Sequence, residues 1–229
     1  MNWLTASTTF YVQLAIAGAW VVGVFGLAEI LKQQGKTDPE INRKVVHIGV
    51  GNVILFAWWF QIPAWIGLAA SVVFSILMLL SYRYPILSST SGTGRKSLGT
   101  FFYAVSIGIL VGWFWPLALP QYAVIGVLIM TWGDGLAALV GQRWGQHKYQ
   151  LWGMNKSWEG SLTMAAVTGI VVALILLVTQ GNIWQTWVSA IAVAVAATTL
   201  ESVSKFGIDN LTVPIGSAAL CFLFNELWL

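Results

Sequence analysis

The chain has 229 residues, 58% of them hydrophobic and only 8% charged, against roughly 25% charge in a soluble globular domain. With a formal net charge of +3 and a mean hydropathy of +0.78, it cannot solvate a globular surface, so a water-soluble fold is excluded. The single cysteine, Cys221, excludes an intramolecular disulfide and a cysteine-based zinc site.

Crossing ~30 Å of hydrocarbon takes about 20 apolar residues. In chain order, the apolar runs fall at 11–31, 45–60, 62–80, 99–116, 121–141, 160–179, 183–203 and 212–227. No Lys or Arg precedes the first run, and no small-residue cleavage site follows it. It is therefore expected to be a permanent helix and not a signal peptide. Only Gln61, Ile62 and Pro63 separate the second and third runs. Proline favours a turn there, with one long kinked helix as the alternative. The expectation is an all-α polytopic membrane protein, a single domain over 1–229, with about eight crossings, or seven if those two runs merge. Fourteen Trp and six Tyr suit the membrane interfaces.

The basic residues then set the orientation. Lys32, Lys36, Arg43 and Lys44 follow the first run; Arg83, Arg95 and Lys96 the third; Arg143, Lys148 and Lys156 the fifth; Lys205 the seventh. With eight crossings all four loops share one side. The intervening loops carry no charge, and only Glu226 lies opposite. Retention of Lys and Arg on the inner side makes the charged face cytoplasmic.

Four charged constellations sit on that face, and a fifth at the mouth of the second run. Asp134, within the fifth run, costs about 2.5–3.5 kcal/mol to insert and so needs a partner or a wet cavity; Arg143 is the structural candidate. Gly133, Ala137, Gly141 and Gly145 recur every fourth residue, a face on which another backbone can approach closely. The following loop, Gly141 to Gly145 and Gly153 to Ser161, combines glycines, Arg143, Asn155, Lys156, Ser157 and Gly160 with a helix N-terminus, which suits nucleotide phosphates. Glu159 beside bare phosphate implies an intervening hard cation. The plainer reading makes Asn155 or Ser157 a helix cap and Glu159 a complement to the dipole. The loop Gly92 to Gly99 resembles a P-loop, but Arg95 replaces the glycine before Lys96 and no strand precedes it, so a Walker-type fold is rejected. Arg95 and Lys96 then read as a second phosphate-binding or acidic-lipid-binding loop. Glu201, Lys205 and Asp209 are spaced for one helical face, although Gly207 is expected to end the helix first. Asp209 and Asn210 offer oxygens suited to Mg²⁺. Arg43, Lys44 and His47 lie at the inner mouth of the second run, where a lone His is more often structural than a base.

These residues resemble the phytol and dolichol kinases, membrane enzymes that phosphorylate long isoprenoid alcohols from CTP and are distantly similar to the phosphatidate cytidylyltransferases. The resemblance runs from Arg43 to Pro214. It rests on Arg43-Lys44-x-x-His47, the loop Gly94 to Thr100, Gly133-Asp134 with Gly141 and Gly145, Lys156-Ser157-x-Glu159-Gly160-Ser161, and Asp209-Asn210 through Pro214. The chain looks like the phytol kinase branch, without the extra N-terminal helices usual in dolichol kinases. The resemblance implies CTP-dependent phosphorylation of phytol, geranylgeraniol or farnesol at the cytoplasmic face. Lys156 and the glycine backbone would hold phosphates. Asp134, Glu159, Asp209 and Asn210 would hold Mg²⁺ or Mn²⁺, unless Asp134 instead accepts the prenol proton. Arg43, Lys44, His47, Glu201 and Lys205 would complete the polar face. The implied partners are the prenol, the nucleotide and the bilayer, with no nucleic acid. The membrane would be a bacterial plasma or thylakoid membrane, or a plastid membrane. One alternative is a cytidylyltransferase, which usually has Ser-Asp followed by Ala-Tyr where this chain has Gly133-Asp134 and Ala137-Ala138. A transporter is the other, disfavoured because no related halves or charges strung across the membrane are visible.

Overall fold

A computed structural model describes residues 3–34, 39–83 and 98–228. The loop carrying Arg95 and Lys96 lies outside the described residues. The helices are α1 (Trp3–Gln33), α2 (Pro39–Gly51), α3 (Val53–Trp59), α4 (Ala64–Arg83), α5 (Gly99–Phe114), α6 (Pro120–Leu128), a π-helical turn (Ile129–Asp134), α7 (Gly135–Trp144), α8 (Trp158–Thr179), α9 (Trp184–Val203) and α10 (Asp209–Trp228). Five stretches are long and apolar enough to cross a membrane: Thr9–Gln33, Ala64–Ser81, Pro120–Trp144, Trp158–Thr179 and Trp184–Val203; Gly99–Phe114 is shorter. The paired α2–α3 and α10 occupy the places of the second and last expected crossings. The chain is an all-α polytopic membrane protein, as its composition requires.

The packing explains why so many apolar residues are needed. Val12 of α1, Val72 and Ile76 of α4, Leu162 and Val178 of α8 and Ile191 of α9 all point outward. Only lipid solvates such a surface without cost, and helices satisfy their own backbone there. The continuous stretch α6–π–α7 is the core: Val124, Ile125, Val127, Ile129 and Met130 are fully enclosed.

Gln61 adopts a positive φ of 52° and the Ile62 amide donates to the Ala57 carbonyl at 2.9 Å, so α3 and α4 are separate helices joined by a tight turn. The expected second helix starts earlier, at Pro39, and is broken at Asn52. There the Asn52 side chain donates from Nδ2 to the Ile48 carbonyl at 2.8 Å, and the Trp132 indole donates to its Oδ1 at 3.0 Å.

The small-residue stripe packs on α8. A Cβ at Gly133 would lie 2.9 Å from Met164 Sδ, and one at Gly160 would lie 3.1 Å from the Ala137 carbonyl oxygen and 3.4 Å from Gly141 Cα. Among the described residues, helix-only architecture is interrupted once. Between α7 and α8 the strands β1 (Lys148–Leu151) and β2 (Met154–Ser157) pair antiparallel, Lys148 opposite Ser157 and Leu151 opposite Met154. The two-residue turn is Trp152-Gly153, both at positive φ (47° and 80°), the geometry that joins twisted hairpin strands and that glycine adopts without strain.

Candidate active site

The π-helical turn sets the site. It ends on Asp134, just where α7 begins, and Thr131 within it donates back to the Val127 carbonyl at 2.7 Å. π-turns widen a helix locally and recur at functional sites. Asp134 is only 8% exposed. Its partner comes from α2: Lys44, itself buried, donates from Nζ to Asp134 Oδ2 at 2.5 Å and to the Asp134 carbonyl oxygen at 3.4 Å. His47, one turn further along α2, has Nε2 at 2.9 Å from the Met130 carbonyl oxygen and 3.8 Å from Asp134 Oδ2. The His47 ring lies 4.3 Å from that of Tyr103 on α5, whose hydroxyl bonds Thr131 Oγ1 at 2.6 Å. Gly51 allows this approach, since any Cβ there would strike Thr131 Oγ1 and the Tyr103 hydroxyl.

A second ion pair continues the cluster. Lys156, at the end of β2, bonds the Glu201 carboxylate on α9, and its Nζ reaches the Glu201 carbonyl oxygen at 3.3 Å. Burial lowers the affinity of this ammonium for its proton, but the Glu201 carboxylate outweighs burial and its pKa is raised. Lys156 therefore stays charged. Asp209, the first residue of α10, lies close enough to feel both Asp134 and Lys156. Burial, reinforced by the Asp134 charge and opposed by Lys156, pushes its carboxyl up to about 6. Gly207, at φ 86°, turns the chain between α9 and α10 and brings Asp209 and the buried Asn210 to this end.

Beneath the charges runs a cavity of about 560 Å³, within the range of pockets that enclose a small organic ligand. Its walls come from α1 to α5 and are apolar along most of their length, including Val21, Phe25, Ile66, Phe74 and Ile107. At one end Arg43, Lys44, His47, Asp134, Asp209 and Asn210 line it; at the other are Ile62, Pro63 and Trp115. A long apolar molecule with one polar end fits this gradient.

Several expected site residues fall elsewhere. Arg143 is exposed, with its guanidinium 5.4 Å over the Trp144 ring, so Asp134 pairs with Lys44 and not with Arg143. Ser157 caps α8, accepting from the Gly160 amide at 3.2 Å, which is the plainer of the two loop readings. Gly133, Gly141, Gly145 and Gly160 serve the close contact around α7, α8 and that cap. Asn155 is exposed on β2 and Lys205 is exposed between α9 and α10. The Glu159 carboxylate is held by His147, through Nδ1 at 2.7 Å and the backbone amide at 3.1 Å. Among the described residues, no three His, Cys, Asp or Glu side chains form a metal-binding group. Tyr103, Thr131 and Asn52 were not singled out from sequence. The available signal was a polar side chain inside an apolar run.

Fold and site together define a polytopic membrane protein whose buried charges gather at one end of an apolar cavity. A protein named phytol kinase in Synechocystis sp. is 49% identical over 219 residues, covering 96% of this chain and 94% of the relative. A probable chloroplastic phytol kinase 2 of Oryza sativa is 30% identical, covering 89% and 72%. The chloroplastic phytol kinase 1 of Arabidopsis thaliana is 24% identical, covering 85% and 70%. No family model and no solved structure matches. The chain belongs to the phytol kinase family, and it is a kinase.

Proposed function

We propose that this protein phosphorylates phytol, or a closely related prenol, to its monophosphate, using CTP at the cytoplasmic face. The observation that carries this reading is the cavity that is apolar along its walls and charged at one end. A prenol would lie in it with its tail among α1, α4 and α5 and its hydroxyl beside Asp134, Lys44 and His47. The names of the relatives support phytol as acceptor. The cytoplasmic orientation rests on the one-sided distribution of Lys and Arg.

Phosphoryl transfer asks the protein mainly to position two oxygens and to stabilise charge. Asp134 accepts the prenol proton or holds the metal, and the ammonium of Lys44 at 2.5 Å fixes its carboxylate in place. Lys156, kept cationic by Glu201, supplies positive charge for the donor's phosphates. Asp209 and the Asn210 amide, joined by Asp134 where it does not act as the base, are the oxygen set for Mg²⁺. One or two carboxylates suffice for that ion when substrate phosphates complete its shell, and Asp134, Asp209 and Asn210 line the same charged end of the cavity. When bound, the metal would neutralise charge on the transferring phosphoryl group. Glu159, engaged by His147, is assigned to the hairpin and not to the metal.

Reconstituted protein incubated with Mg²⁺, phytol and each nucleoside triphosphate in turn tests this. Phytyl monophosphate with CDP is the expected product pair. Pyrophosphate release with a CDP-lipid would instead establish the cytidylyltransferase chemistry, and no product with any nucleotide would sink the kinase assignment for phytol.

A further inference from the structure

The cavity has a floor as well as a charged mouth. Thr100 and Trp115 both line it, and at about 1.5 Å per residue they are ~22 Å apart along α5. At the far end the Trp115 indole N–H donates to the Ile62 carbonyl at 3.0 Å. That carbonyl belongs to the α3–α4 turn, where Pro63 follows and Gln61 holds its positive φ. The hydrogen bond ties the indole to this turn where both line the cavity. The indole is half-buried, and this bond gives its N–H a partner that apolar helices do not otherwise offer.

We propose that Trp115, latched to Ile62, is the floor that sets the longest prenol this enzyme accepts. This rests on the reading of the cavity as the acceptor site. With the hydroxyl fixed at the Asp134 end, the length of tail that fits is determined by where the indole stands. Apolar pockets discriminate by about 10–200-fold per surplus methylene, and an isoprene unit adds five carbons. Prenols one unit too long are rejected.

Gly18 provides the opposite perturbation. It lines the cavity one turn inward of Leu14, and a Cβ built there meets nothing within 4 Å. Phenylalanine at this position fills cavity space without displacing a neighbour at Cβ.

The test compares kcat/KM for a set of prenols differing by single isoprene units, using Trp115→Ala, Trp115→Leu and Gly18→Phe. Ratios between prenols within one preparation do not depend on the fraction of protein that folds. The expected result is that Trp115→Ala and Trp115→Leu raise the ratio of the longer to the preferred prenol about tenfold or more, while Gly18→Phe shifts preference to shorter ones. If Gly18→Phe shifts the profile and both Trp115 variants leave it unchanged, the cavity holds the acceptor but Trp115 is not its floor. If none of the three moves the profile, the acceptor does not lie in this cavity, and the proposed function loses its structural basis.

Discussion

Replacing Lys44 by Met tests whether the buried ion pair at Asp134 is structural, catalytic or both. The two side chains are 6% and 12% exposed, with Nζ and Oδ2 at 2.5 Å. Removing the ammonium strands a carboxylate in a largely dehydrated site, and breaking such a pair from one side costs about 3–5 kcal/mol. For a chain of this size that lowers the thermal midpoint by on the order of 6–20 °C. Asp134→Asn in the same background removes the stranded charge and is expected to recover most of the loss. Turnover is not expected to recover, because a carboxylate acting as general base contributes about 10²–10⁴-fold. The assay is a double-mutant cycle read in parallel by thermal unfolding in detergent and by phytyl monophosphate formation. If the double variant regains both stability and turnover, the pair is only a packing device and the assignment of Asp134 to the reaction is wrong.

Asp209 predicts a pH dependence of stability in chelated, metal-free protein. Its folded-state carboxyl binds a proton up to about 6, whereas an unfolded Asp releases it near about 3.9. The folded state thus holds more protons across that window, and stability falls as pH rises through it; Asp209→Asn should flatten this part of the thermal-midpoint profile. Ser157→Ala removes the α8 cap and should cost about 1 kcal/mol of stability with the KM for CTP unchanged. A KM raised about tenfold would make Ser157 a phosphate ligand after all. Lys156→Ala should raise the KM for CTP and also destabilise, since Glu201 is left buried. Adding Glu201→Gln should recover stability but not KM, and an unchanged KM in both variants would remove Lys156 from the donor site.

The helices were legible because hydropathy in a membrane protein is a bulk property of each segment, and 183–203 and 160–179 lie within two residues of α9 and α8. That Asp134 needs a partner was legible because a carboxylate inside an apolar run is costly to leave unpaired. Its partner was not. Lys44 lies 90 residues away, while the nearby Arg143 faces outward. The hairpin escaped because its strands are four residues long and its turn uses Trp152 where Asn or Asp usually stands before glycine. The π-turn escaped because Ile-Met-Thr-Trp-Gly-Asp carries no distinguishing periodicity. The cavity is a property of the space between helices: Gly18, Gly67, Ala70 and Ala104 line it, and in the sequence each reads as one more small apolar residue. The metal reading of Glu159 came from a carboxylate standing beside expected phosphates; its contact with His147 was not legible, because a histidine in a loop carries no positional signal.

Whether the prenol occupies this cavity decides the assignment of the acceptor site. A phytol analogue with a photoreactive diazirine at its tail, bound to the reconstituted protein and mapped by peptide mass spectrometry, addresses this directly. Labelling at the Ile62–Trp115 end, suppressed by excess phytol, is the predicted result. Labelling confined to outward-facing residues such as Val72, Ile170 and Val195, and insensitive to phytol, would contradict it.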